Sequence, residues 1–271
     1  MYFFSMPIHL LVQNTYQIPS VSTAPKKQVI DARRTSAMPL ISCTLTGVDQ
    51  QTDLSQVASL SASFPRAEFA ILFSPERSGL QNRFPRLPSI LNMLDAGPIR
   101  WAIHLCGRAV PEFIEAAISG KAKGLNQDAF RLAVHPNVSR IQLNFAFRRS
   151  KFALTDLDSA IHSISIPVIT QEHRANAGVS LSIKAPNHQV LFDASGGRGI
   201  ETSQWSPPVD GKVCGFAGGL GPESLSRALP AIKQVCNGQV FWIDMESRIR
   251  DENDWFDLDA CGRVLEIAQT A

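Results

Sequence analysis

The residues in this chain that could do chemistry stand at the ends of short apolar runs. In VLFDASGGRGIETSQW, residues 190–205, Asp193 closes such a run, and Gly196, Gly197 and Gly199 follow within six positions. A second glycine cluster, Gly218, Gly219 and Gly221, follows the run VCGF and precedes PESLSRAL, a helix-compatible stretch. Glycine lets backbone N–H groups approach an anion with no Cβ in the way, and a helix N-terminus adds unpaired donors. Gly196, Gly197, Gly199, Gly218 and Gly219 are therefore candidate phosphate-binding residues. Other polar or reactive groups at run ends are Cys43, His104 and Cys106, Gln142 and Asn144, Gln171 and His173, and Asp244.

Such residues must be positioned by regular elements, and the chain repeats one pattern from Pro39 onward. Eight runs, PLISCT, EFAILFS, RWAIHLC, SRIQLNF, IPVITQ, QVLFD, VCGFAGG and QVFWIDM, have the length and the β-branched or aromatic content of strands. Their starts lie about 25–40 residues apart, room for a strand plus a crossover helix. Helix-compatible stretches stand between them, among them DLSQVASLSASF, PSILNMLDAG, AVPEFIEAAISG, LTDLDSAIHSI, PESLSRALPAIKQV and WFDLDACGRVLEIAQ. Repeated βα units without hairpin signals predict a parallel sheet, and eight of them predict an α/β fold of the (β/α)8 TIM-barrel type over residues 37–271. A fifth helix within 175–186 is weakly patterned and leaves a doubly wound sheet as the alternative. In a barrel the chemistry sits at the C-terminal strand ends, and the two-residue period puts His104 with Cys106, and Gln142 with Asn144, on one face.

Composition narrows the function classes. The chain has 271 residues, 44% of them hydrophobic, enough for one large core, with 26 basic residues against 24 acidic ones. That balance gives no electrostatic footprint for nucleic acid or an anionic membrane and leaves small partners open, and the glycine loops make a small phosphorylated ligand the expected one. Five cysteines without CxxC spacing suit a reducing, cytoplasmic setting rather than a disulfide framework. Residues 1–36 read as a flexible N-terminal extension: MYFFSMPIHLLVQ is apolar but lacks a basic flank and is too short to span a bilayer. With no dinucleotide fingerprint and no Walker loop, no cofactor is expected.

The same blocks resemble the phosphoribosylanthranilate isomerase family. LFDASGGRGIETSQW resembles its strand-six block, GFAGGLGPESL its Ala-Gly-Gly-Leu-x-Pro-Glu-Asn block, and WIDMESRIR its strand-eight Val-Asp-x-Ser-Ser-Gly-Val-Glu. RIQLNF stands where the family has Val-Gln-Leu-His-Gly, and PLISCTLTGVD where it has Lys-x-Cys-Gly-x-Thr. The resemblance implies an Amadori rearrangement, in which an acid opens a ribose ring and a base takes the C2 proton of the Schiff base. Carried over by position, Asp193 is the acid and Cys43 the base, and Arg77 in FSPERSG takes a substrate carboxylate. His104, Gln142, Asn144, His173 and Asp244 complete the expected substrate-binding set. The chain departs from the family at Thr44, at Asn144 and Phe145, and at Glu246, Ser247 and Arg248. Those departures keep two other readings open. One is a non-catalytic or differently specific phosphometabolite-binding barrel. The other is a metal-assisted enzyme built on His104, Cys106 and His173, since imidazole and thiolate suit zinc.

Overall fold

The computed structural model describes residues 40–120, 127–193, 195–196, 198–202 and 204–270. The expected extension 1–36 and the candidate Gly197 lie outside them. All eight apolar runs form strands: β1 (Leu40–Thr46), β2 (Ala67–Phe73), β3 (Trp101–Cys106), β4 (Val138–Asn144), β5 (Val168–Glu172), β6 (His188–Asp193), β7 (Cys214–Ala217) and β8 (Phe241–Met245). Each pairs in parallel with the next, and β8 closes on β1 with Thr44 opposite Asp244. This is a (β/α)8 TIM barrel, and the doubly wound alternative falls, because the sheet closes and has no edge strands.

Helices α1 (Leu54–Ser63), α2 (Leu87–Leu94), α3 (Ala109–Ser119), α5 (Leu154–His162), α7 (Leu225–Cys236) and α8 (Leu258–Thr270) occupy the six stretches patterned for them. The sequence reading named no helix at α4 (Gln127–Ala133), which adds a second layer of cover between β3 and β4. The weak 175–186 region forms only α6 (Val179–Ser182), a single turn. Among the described residues the connection from β6 to β7 carries no helix. Trp205 does its work there: it meets outward-facing Phe216 edge-on at 6.0 Å, while Phe192 stacks on the same ring at 5.7 Å. No described helix is long and apolar enough to cross a membrane.

Strand alternation turns one set of each strand outward to the helices and the other inward, where polar residues stand beside a small apolar cluster of Ile169, Leu191, Ala217 and Trp242. On β1, Leu40, Cys43 and Leu45 join the large core between sheet and helices, whereas Thr44 and Thr46 point into the barrel. The barrel floor is a layer from the four even strands, Glu68, Arg140, Gln189 and Trp242, as alternating strands of a closed barrel require. Arg140 donates twice to Glu68 through Nε, at 2.9 and 3.0 Å, and bonds it again through Nη2. It also reaches Thr44 Oγ1 at 2.8 Å and Gln189 Oε1 at 3.2 Å, and its guanidinium lies 4.3 Å from the Trp242 ring centre. Although burial opposes charge on Glu68, Arg140 and Arg100 together hold its carboxyl below the usual range. A Cβ on Gly215 would stand 2.2 Å from the Trp242 ring, so the indole needs that glycine.

Removing one partner of a buried ion pair strands the other charge. Arg140→Met is expected to lower unfolding free energy by about 3–5 kcal/mol, read as a shifted urea midpoint. A change under about 1 kcal/mol would mean that Arg100, 3.1 Å from Glu68 Oε2, holds the carboxylate without Arg140.

Candidate active site

The C-terminal ends of the strands enclose a cavity of about 470 Å³. Its centre is acidic. Asp193 at the end of β6 and Asp244 on β8 both line it and are both buried, and Glu246 follows on the same side two residues after Asp244. Asp193 accepts from Ser195 N at 3.0 Å and from Ser195 Oγ at 2.7 Å, so the turn after β6 fixes one of its oxygens. Asp244 Oδ1 accepts from Thr46 Oγ1 at 2.6 Å. Burial pushes the Asp244 carboxyl up to about 7; the charges on Glu246 and Asp193 push the same way, while the Thr46 bond and Arg140 oppose them. Burial, with Asp193 adding to it, also raises Glu246, against the pull of Arg83 and Arg250.

Positive charge surrounds this centre. Arg83, in the loop between β2 and α2, reaches Glu246 Oε1 at 2.7 Å and Asp254 Oδ1 at 2.7 Å. Arg250 continues the chain, bonding Asp254 Oδ1 at 3.0 Å and Asp49 Oδ2 at 3.0 Å. Loops after β1, β2 and β8 are strapped together by this alternation of charges. Arg77 and Arg248 also line the cavity, both exposed at its rim. Arg77 lies 5.0 Å over the Phe84 ring, and neither arginine pairs with a carboxylate among the described residues.

The glycine loops close the far side. Gly196, Gly199, Gly218 and Gly219 line the cavity with Ser247 and Arg248. A Cβ on Gly219, at φ +66°, would come within 2.4 Å of Glu201 N; one on Gly199, at φ +62°, would lie 2.7 Å from Ser247 Cβ. Loops after β6, β7 and β8 therefore touch through their backbones, an approach only glycine permits. The helix expected to start at Pro222 begins three residues later, at Leu225. Ser224 Oγ caps this corner by donating to Gly219 O at 2.8 Å.

Of the other residues expected here, Gln142, Asn144, Arg77, Asp193 and Asp244 line the cavity. Gln142 Nε2 donates to Asn144 Oδ1 at 2.9 Å, and Asn144 Nδ2 to Cys106 Sγ at 3.4 Å. Three expectations need correction. Cys43 faces outward, away from the cavity: it sits at an odd position of β1, beside Phe64 and Leu265, and burial pushes its thiol up instead of down. The inward residue at this end of β1 is Thr46, before Gly47. His104 lies beneath the cavity, 1% exposed, with burial lowering it to about 3, and its Nδ1 stands 3.4 Å from Gln142 Nε2. It orients Gln142 from below. His173 caps the turn after β5, where its Nδ1 accepts from Ala175 N at 3.2 Å, and it does not line the cavity. With His173 so engaged, His104, Cys106 and His173 form no metal cluster, and among the described residues no other three His, Cys, Asp or Glu side chains do.

Thr46 and Arg83 are site residues that sequence reasoning missed, and Glu246, Ser247 and Arg248 were noted only as departures from the family. The signal for Thr46 was present in ISCTLT, where Ser42, Thr44 and Thr46 alternate with Ile41, Cys43 and Leu45. Arg83 carried none, because its place depends on pairing with Glu246, 163 residues away.

Solved structures fix what this barrel is like. The phosphoribosyl anthranilate isomerase of Thermotoga maritima superposes with a TM-score of 0.54, at 13% identity, over 86% of this chain and 100% of that one. The enzyme of Thermus thermophilus gives 0.53, at 15% identity, over 84% of this chain and 98% of that one. This chain has the fold of the phosphoribosylanthranilate isomerases. A truncated 3-deoxy-D-arabino-heptulosonate 7-phosphate synthase of Thermotoga maritima scores 0.51 at 12% identity, over 85% of each chain, so the architecture is shared with other enzymes. No family model and no curated protein matches the sequence.

The raised Asp244 carboxyl has a consequence for stability. Its folded value of about 7 lies above the ordinary 3.8, so the folded state holds its proton longer than the unfolded one, and stability falls as pH rises from about 4 to 7. Asp244→Asn is thus expected to raise Tm by several degrees at pH 8 and to change it little at pH 4, measured by calorimetry. An equal Tm at pH 8 would mean the carboxylate is compensated in the folded state.

Proposed function

We propose that this protein is an acid–base isomerase of the phosphoribosylanthranilate isomerase type, rearranging a phosphorylated aminoaldose to an aminoketose, with Asp193 and Asp244 as its proton-transfer pair. One observation carries the reading: two carboxyl groups from β6 and β8 face one cavity, and one of them has a pKa near neutrality. Opening a sugar ring requires a proton delivered to the ring oxygen, and the following step removes one from carbon. A group poised near pH 7 can serve either step, because both of its protonation states are populated. Asp193 stands where the resemblance puts the acid, which leaves Asp244 to take the carbon proton in place of the misplaced Cys43. Support for the substrate class comes from the solved isomerases, one of which is in complex with reduced 1-(o-carboxyphenylamino)-1-deoxyribulose 5-phosphate. In this reading the phosphate is held by the backbone of Gly199, Gly218 and Gly219 with Ser247 and Arg248, and Arg77 meets an anionic group at the opposite rim.

A specific observation favours a second reading. Cys43, the base that the resemblance implies, faces away from the cavity, and the inward residue of β1 beside Asp244 is Thr46, whose hydroxyl is not a base. A barrel that binds a phosphometabolite without turning it over, or acts on a different one, would also keep the glycine loops.

Turnover of phosphoribosylanthranilate, followed by loss of its fluorescence with the next enzyme coupled, separates the two. Asp193→Asn and Asp244→Asn are expected to lower kcat/KM by at least about 100-fold, with Cys43→Ser within a few-fold of wild type. The wild-type pH profile should show a limb near 7 that Asp244→Asn removes. Binding of inorganic phosphate without turnover of this substrate or of a phosphosugar panel would favour the second reading.

A further inference from the structure

Two inward hydroxyls on β1 have different employment. Thr44 Oγ1 belongs to the floor, donating to Glu68 Oε1 at 3.0 Å and accepting from Arg140 Nη2 at 2.8 Å. Thr46, one inward step closer to the mouth, has a single side-chain partner, Asp244 Oδ1 at 2.6 Å, and it is 1% exposed. Both side chains are buried, Asp244 at the wall of the cavity, and the two strands are neighbours in the closed sheet. A short bond from a β-branched side chain, whose χ1 is stiff, fixes the rotation of the carboxyl it meets. We infer that Thr46 is a positioning residue for Asp244, holding Oδ1 so that Oδ2 is the oxygen that exchanges a proton with a ligand in the cavity. The inference deepens the proposed function and rests on it for the identity of the ligand, but the hydrogen bond can be tested without one.

The other groups that act on Asp244 are Glu246 from the loop after its own strand, Asp193 from β6, and Arg140 from β4 beneath. None of them changes when Thr46 is replaced, so a difference between variants reads the hydroxyl. A donor to a carboxylate stabilises the charged form, and its loss must raise the pKa.

The experiment is a carbon-13 NMR titration of aspartate-labelled full-length protein, with the Asp244 resonance assigned by its absence in Asp244→Asn. Wild type is expected to show a carboxyl titrating near 7. Thr46→Val, which keeps the shape and removes the donor, should move that midpoint up by about one unit or more, a tenfold change in proton affinity. Thr46→Ala should do the same should valine disturb folding, and Thr46→Ser should restore the wild-type value. On a substrate that is turned over, Thr46→Val should lower kcat with KM nearly unchanged and shift the pH limb by the same amount. An unmoved midpoint in both Thr46→Val and Thr46→Ala overturns the inference. A moved midpoint in a protein that turns over no sugar phosphate upholds it while the proposed function fails.

Discussion

The guanidinium of Arg140 lies across the floor of the barrel and meets β1, β2, β6 and β8 at once, through Thr44, Glu68, Gln189 and Trp242. Few side chains could do this. The planar fork supplies several donors in fixed directions and a flat face for an indole, and an ammonium in its place would satisfy only some of these contacts. Replacing such an ion pair by apolar groups can leave overall stability unchanged, so its contribution is better sought in what it specifies than in net free energy. It specifies phase. A one-residue slip of any of these strands would turn Thr44, Glu68, Gln189 or Trp242 out of the barrel and leave Arg140 buried against unmatched neighbours.

Phase at the floor determines what stands at the mouth. Once Thr44 is bound to Glu68 and Arg140, the two-residue period puts Thr46 inward, and once Trp242 lies against Gly215 and Arg140 the same period puts Asp244 inward. Their hydroxyl and carboxyl then meet at 2.6 Å because β1 and β8 are paired with Thr44 opposite Asp244. The acidic centre is thus assembled by backbone pairing and held from below. The loops add a second layer of restraint, since Arg83 and Arg250 tie Glu246, Asp254 and Asp49 into one chain of alternating charge.

How far these features could be read from the sequence depends on their range. The eight strands were legible because each is a local apolar run, and the glycine loops because a backbone that must approach another backbone admits no other residue. Asp193, Asp244, Gln142 and Asn144 could be found from strand ends alone. Cys43 misled because a motif was matched by residue type: the parity of β1, visible in the alternation of Ser42, Thr44 and Thr46, puts the thiol among the helices. His173 misled for a different reason, since a histidine next to a strand end caps a turn as readily as it binds a ligand. Arg83 was out of reach, because it answers to a carboxylate in the loop after β8.

The charges around the cavity argue for the orientation of whatever binds there. Three carboxyl groups crowd the centre, and burial with mutual repulsion has already moved Asp244 to about 7, so a phosphate dianion placed among them would meet like charge in a poorly solvated space. Arg83 is committed to Glu246 and Asp254, whereas Arg77 and Arg248 at the rim pair with no carboxylate among the described residues. An anionic ligand must therefore lie with its charge toward the rim and the glycine loops, and with its hydroxyl or amine donors toward Asp193 and Asp244. Such a pose brings the exchangeable protons of a sugar, not its phosphate, to the groups able to move them. Arg248 replaces the glycine of the family's strand-eight block, and Glu246 replaces the first serine of the same block. The pair strengthens the positive rim and the negative centre together. Arg250 stands where the block has Glu, but it is committed to Asp49 and Asp254, so of the charged changes on this loop Glu246 and Arg248, one of each sign, are the two that line the cavity.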